Sequence, residues 1–177
     1  MGKIKNKFLP ALDKLLENPT PEGFKFGLPT EAQWEYAALG GKHWEKYNFK
    51  YAGSNKLNEV GWFDGNSHQE TKLVGLKSPN LLGWYDMGGN VWECCEDDWH
   101  FDYNNNPPIN GKAWIDYSRG NRHMVRGGSW HSDAQLTRAT SRHFYSPEDE
   151  LSTFGFRLAL CRPASSVGVI QQSSEQI

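Results

Sequence analysis

The sequence predicts a loop-rich α+β domain with few helices and short strands. Three observations carry this. The 177 residues include eight Trp, seven Tyr and nine Phe, so large rings are available for a core that a disordered chain would lack. Eighteen Gly and nine Pro punctuate the chain and leave little room for long regular elements. One segment carries a full set of helix signals, and one run alternates with the period of a strand. The length suffices for one domain with a proper core and is short for two.

The best-marked helix begins at Thr30-Glu31-Ala32-Gln33, a capping box in which Thr30 accepts from the third amide and Gln33 reaches back. Glu31 sits at the positive end of the helix dipole. Trp34, Ala37 and Ala38 form its buried stripe, and Gly40-Gly41 ends it, which predicts a helix over about 31–39. A second helix is predicted over 8–16, where Phe8, Leu12, Leu15 and Leu16 recur at helical spacing. Asn18-Pro19, Pro21 and Gly23 terminate it. From 42 to 80 aromatics interleave with Gly, Asn, Ser and Asp, a pattern of short strands and long turns. Val91–Cys94 and Met124–Arg126 read as short strands. Phe154, Phe156, Leu158 and Leu160 alternate with Gly155, Arg157 and Ala159, a period-2 strand. The organisation expected is an amino-terminal helix and linker over 1–25, one domain over 26–162 and a flexible tail over 163–177.

Charge and cysteine content narrow the function classes. Lys plus Arg number 19 and Asp plus Glu 21, a net charge of -2, which argues against a nucleic-acid partner. No apolar run approaches the ~18–20 residues of a membrane span, so no membrane insertion is expected. Met1–Lys7 is basic, but Pro10, Asp13 and Lys14 interrupt the apolar region after it, unlike a signal peptide. Cys94 and Cys95 are adjacent and Cys161 is the odd one out, which argues against a disulfide framework and for a reducing compartment. A cytoplasmic location is the default, with display on a surface through a partner left open.

Four motifs follow one another: Gly-Leu-Pro-Thr-Glu-Ala-Gln-Trp-Glu-Tyr-Ala-Ala (27–38), Tyr-Asp-Met-Gly-Gly-Asn-Val-Trp-Glu (85–93), Val-Arg-Gly-Gly-Ser-Trp (125–130) and Gly-Phe-Arg-Leu-Ala (155–159). The glycine pairs permit close backbone approaches. Trp34, Trp92 and Trp130 are large enough to hold a loop-rich core together, and Arg126 and Arg157 are suited to forked bonds between loops. Asp86, Asn90 and Glu93 carry hard oxygens of the kind calcium selects, or Asp86 simply caps a turn. Together the motifs resemble the formylglycine-generating-enzyme, or sulfatase-modifying-factor, family over about residues 26–161. The resemblance implies a C-type-lectin-like fold of the formylglycine-generating-enzyme type. It also implies a structural calcium held by the Asp86 and Glu93 side chains and the carbonyls of Gly89 and Val91, with no cofactor required.

Departures from the family pattern bear on function. Family members that make formylglycine carry two cysteines after the Gly-Gly-Ser motif, where thiolates bind copper. Here residues 131–138 contain none. Cys94 and Cys95 stand where the family carries Trp or another core residue. Iron oxidases of the family need a histidine-rich site, whereas His43, His68, His100, His123, His131 and His143 are scattered. The amino-terminal part of a full enzyme domain is expected to be missing.

The segment between Trp130 and Gly155 mixes polar groups with rings, as a paratope does. It resembles the variable region of diversity-generating-retroelement proteins, in which adenine mutation of Asn codons yields residue sets like His131-Ser132-Asp133 and Phe144-Tyr145-Ser146. Gln135 and Glu148 fall outside that set. The reading is a non-catalytic, ligand-binding module whose variable surface comprises His131, Ser132, Asp133, Gln135, Leu136, His143, Phe144, Tyr145, Ser146, Glu150, Leu151, Ser152 and Thr153. Trp130, Arg138, Arg142 and Arg157 are expected beneath it. The partner expected is a macromolecule of the protein class. The alternatives are an oxidase-type enzyme of the parent family or a degenerate structural member of it.

Overall fold

The computed structural model describes residues 3–16, 20–116, 121–146 and 151–161. A π-helical turn, Ile4–Phe8, runs into α1 (Leu9–Leu15). There follow β1 (Lys25–Gly27), α2 (Glu31–Ala38), and the one-turn helices α3 (Trp44–Tyr47) and α4 (Leu57–Val60). The remaining elements are β2 (Trp92–Asp98), β3 (His123–Arg126), β4 (Arg142–Tyr145), β5 (Phe154–Gly155) and β6 (Ala159–Cys161). The larger sheet has the order β4-β3-β2-β5, with β2 antiparallel to β3 and parallel to β5. A second sheet pairs β1 with β6 antiparallel, so the two ends of the domain close on each other.

Strand β2 divides the interior. Its side chains alternate between faces, so Trp92 and Cys94 join Leu28, Val125 and Tyr145 on one side. Cys95 joins Trp34, Ala38, Met87, Met124 and Ala139 on the other. Helix α2 covers that second face. Its start is the expected capping box: the Gln33 amide donates to Thr30 Oγ1 at 3.2 Å and the Thr30 amide to Gln33 Oε1 at 2.9 Å. Its end is Gly40 at φ +93°, a left-handed position where glycine is unstrained. A third cluster, Tyr51, Leu57 and Val60, packs with Phe63 and Ala134.

The amino-terminal helix starts earlier than its stripe predicts and docks by its first turns. Ile4 packs on the Trp92 cluster, and the Phe8 ring meets Phe156 edge-on at 5.3 Å. Leu15, counted into the stripe, stays 78% exposed. Residues 42–80 form one-turn helices and isolated bridges instead of short strands. Side-chain bonds replace ladder bonds there, as where the Phe63 amide donates to Asn66 Oδ1 at 2.9 Å. The predicted strand 154–160 is cut in two because the chain changes partner: β5 pairs with β2, β6 with β1. Strands β1 and β4 carry no signal in the sequence reading. Residues 163–177, expected as a tail, lie outside the described residues. Among the described residues no helix is long and apolar enough to cross a membrane.

Candidate functional site

Three arginines fix the scaffold. Arg126 is fully buried and donates to the carbonyls of Ser141 and Ala139 and to Glu35. Arg142 forks onto Glu31 at 2.6 and 2.9 Å. Arg157 forks onto Glu93 at 2.5 and 2.7 Å and donates to the Tyr85 carbonyl at 3.0 Å. These are the loop ties expected of Arg126 and Arg157. Arg138 differs from expectation. It is exposed and bonds locally to the Gln135 carbonyl at 3.0 Å.

Beyond Gly127-Gly128 the chain forms a turn that its own polar groups hold. Asp133 Oδ1 accepts from the Gln135 and Leu136 amides at 2.8 and 2.9 Å. Thr137 Oγ1 donates to the Asp133 carbonyl at 2.8 Å, and Ser141 Oγ to the Gln135 carbonyl at 2.6 Å. Ser132 Oγ accepts from the Ser129 amide at 2.9 Å, and the Ser132 carbonyl accepts from the Asp64 amide at 3.0 Å. With the backbone pinned, the side chains of His131, Gln135 and Leu136 face solvent, as does Asp133. Trp130, half-buried, contacts the His131 ring at 5.3 Å and donates from Nε1 to the Ser152 carbonyl at 3.3 Å. It thereby joins the turn to Leu151 and Ser152, which are exposed, and to half-buried Thr153.

Two of the proposed surface residues point inward. Tyr145 is 5% exposed in the Trp92 cluster, where it packs with Leu28, Val125 and the Phe154 ring. Ser132 is buried because its hydroxyl closes the turn onto Ser129. His143 is exposed over Trp92, with rings 5.3 Å apart. Phe144 is half-buried against Trp99 at 5.2 Å, under the Arg122 guanidinium at 4.6 Å. Ser146 is half-buried, and Glu150 lies outside the described residues. Gln69, absent from the sequence reading, meets His131 Nδ1 at 3.3 Å. Its sequence context, His68-Gln69-Glu70, carries no signal for that contact.

Cys94 and Cys95 are buried core groups, and Cys161 is half-buried. Cys94 and Cys95 point to opposite faces of β2, and burial pushes both thiols up, Cys95 well above its ordinary value. Burial also raises Cys161, whose Sγ donates to the Leu28 carbonyl at 3.4 Å. None has the lowered pKa of a reactive thiolate. Among the described residues no cluster of three or more His, Cys, Asp and Glu is arranged to hold a metal ion.

Asp86, Gly89, Val91 and Glu93 line one pocket with Trp84 and Arg157. Asp86 Oδ2 accepts from the Gly75 amide at 2.7 Å, whereas Oδ1 is buried without a hydrogen-bond partner. That orphaned oxygen fits a hard cation. Glu93 is the weaker donor, since Arg157 and the Trp34 indole, at 2.6 Å, already engage its carboxylate.

A curled, loop-rich domain with few helices and a mixed sheet, closed end to end, is a C-type-lectin-like fold of the formylglycine-generating-enzyme type. The chain belongs to the sulfatase-modifying factor enzyme 1-like domain family, whose model matches residues 3–161. Treponema denticola variable protein 1 is similar at 37% identity and a TM-score of 0.64, over 79% of this chain and 49% of that one. PvdO from Pseudomonas aeruginosa superposes with a TM-score of 0.72 at 29% identity, over 89% and 58%. The formylglycine-generating enzyme of Mus musculus is 30% identical over 149 residues, which cover 75% of this chain and 38% of the enzyme. The chain spans between 20% and 48% of the length of such curated relatives.

Proposed function

We propose that this domain is a non-catalytic binding module that presents a variable surface to a protein partner, in the manner of a diversity-generating-retroelement variable protein. The observation that carries this is the turn after Trp130. Its backbone bonds come from Ser132, Asp133, Thr137 and Ser141, while the side chains of His131, Gln135 and Leu136 are exposed and take no part in them. Such positions accept change without loss of the fold. The surface consists of His131, Asp133, Gln135 and Leu136, with Leu151, Ser152 and Thr153 beside them and His143, Phe144 and Ser146 on β4. The likeness to a variable protein of Treponema denticola supports the reading, as do the cysteine-free turn and the three thiols of raised pKa. The net charge of -2 speaks against nucleic acid as the partner.

The test is the neighbouring DNA together with a library. A reverse-transcriptase gene and a repeat of the segment encoding residues 130–157, differing at adenines, are the expected finding. A library randomised at 131, 135, 136 and 151 should stay folded in most members and yield binders to an arbitrary protein. Absence of the gene pair, with most library members unfolded, overturns the proposal.

The pocket at Asp86 takes a structural calcium in this proposal, held by Asp86 with the carbonyls of Gly89 and Val91. Its role is to neutralise a buried carboxylate and tie the 85–93 loop. Calcium should raise the melting temperature of the wild type and leave that of Asp86→Ala unchanged. Equal shifts, or none, remove the calcium from the account.

A further inference from the structure

A recess of about 360 Å³ lies between α2 and the 97–114 segment. Its walls are aromatic: Tyr36 from α2, and Tyr103 and Trp114 from the opposite loop. Its floor carries Glu31, Glu35 and Asp97. The floor is ordered. Asp97 accepts from the amides of Glu31 and Trp114 at 2.7 and 2.8 Å, Glu31 holds Arg142, and Glu35 holds Arg126. Three carboxylates therefore meet two guanidiniums, and Lys112 brings a third cation at the exposed rim.

The same floor already shows which ligand group it accommodates. The Arg142 guanidinium sits over the Tyr103 ring at 4.3 Å while forked onto Glu31. Ring face on one side and carboxylate on the other is the geometry a planar cation selects. We infer that this recess is a second binding site, which takes the guanidinium of an arginine side chain from a peptide or protein partner between Tyr36, Tyr103 and Glu35. A bound guanidinium gives Glu35 a second cation beside Arg126 and replaces Lys112 at the rim. Burial, and next the Glu31 charge, push the Tyr103 phenol up to about 12. Burial likewise raises Glu35 and Asp97, and the Glu31 charge adds to both shifts. The inference does not depend on the variable-surface reading, since none of its residues belongs to that surface.

The experiment titrates the full chain with acetyl-Gly-Arg-Gly-amide and with the citrulline analogue, which keeps the shape and loses the charge. The readout is the Trp114 indole N–H resonance, assigned with Trp114→Phe. The arginine peptide should shift it saturably and the citrulline peptide should not. Tyr36→Ala, an exposed position that leaves the floor intact, should weaken binding about five-fold. Lys112→Gln should tighten it. No shift up to about 10 mM peptide, equal shifts with citrulline, or affinity indifferent to both substitutions overturns the site.

Discussion

Trp34 is 1% exposed and fills the cluster between α2 and the sheet, while its indole N–H ends on the Glu93 carboxylate. Trp34→Ala removes both ring and donor and should cost roughly 3–5 kcal/mol. Tyr145→Ala should also behave as a core truncation, at about 3 kcal/mol or more. His131→Ala and Leu136→Ala should stay within about 0.5 kcal/mol. Urea unfolding midpoints of the four variants check this ranking, and a Leu136→Ala shift as large as that of Trp34→Ala would refute it. His143 supplies a pH test. The Trp92 and Phe144 rings cover one side of the exposed imidazole, and this partial desolvation holds it below the usual range. The unfolded chain therefore takes up the proton first as pH falls through about 6.5. The neutral ring's contribution is full above that pH and is lost below it. His143→Gln should flatten the fall in unfolding midpoint between about pH 7.5 and 5.5.

At the scale of elements, the start of α2 was legible in four letters because a capping box is local chemistry. Thr30→Ala should cost about 1 kcal/mol, measured by the same unfolding assay. Its hydroxyl also donates to the Gly111 carbonyl at 3.0 Å, so Thr30→Ser should keep most of the stability. The loop at Gly89 is fixed by sterics. At φ +83° an added Cβ would lie 1.9 Å from the Trp62 carbonyl oxygen. Gly89→Ala should fail to give folded protein, seen as loss of near-ultraviolet circular dichroism. Strand β4 was not legible. Arg142-His143-Phe144-Tyr145 has no clean alternation of polarity, and only pairing with β3, Met124 opposite Phe144, makes it a strand. The alternation over 154–160 was real, yet the chain turns midway to serve two sheets.

At the scale of the molecule, β1 and β6 close the domain, and the two faces of β2 carry two cores. The adjacent thiols fall one to each core, so they behave as small hydrophobes. Incubation with a cysteine-containing sulfatase peptide and copper should therefore yield no formylglycine by mass spectrometry, and its detection would revive the enzyme reading. Iodoacetamide on the folded chain should modify Cys161 before the buried Cys94 and Cys95.

The sequence by itself determined the family, the α2 cap, the fork-forming Arg126 and Arg157 and the cysteine-free turn, because each is written in neighbouring residues whose chemistry acts locally. Only the tertiary structure decided which residues of the 131–153 segment reach solvent. Ser132 and Tyr145 have the same composition signal as their neighbours, and they turn inward because a hydroxyl closes a loop and a ring packs against Leu28, Val125 and Phe154. It also decided the recess beside Glu31. Glu31 and Arg142 stand 111 positions apart, and the chain between them carries no mark of the pairing. Such contacts arise from packing across the fold, where sequence distance has no bearing on proximity.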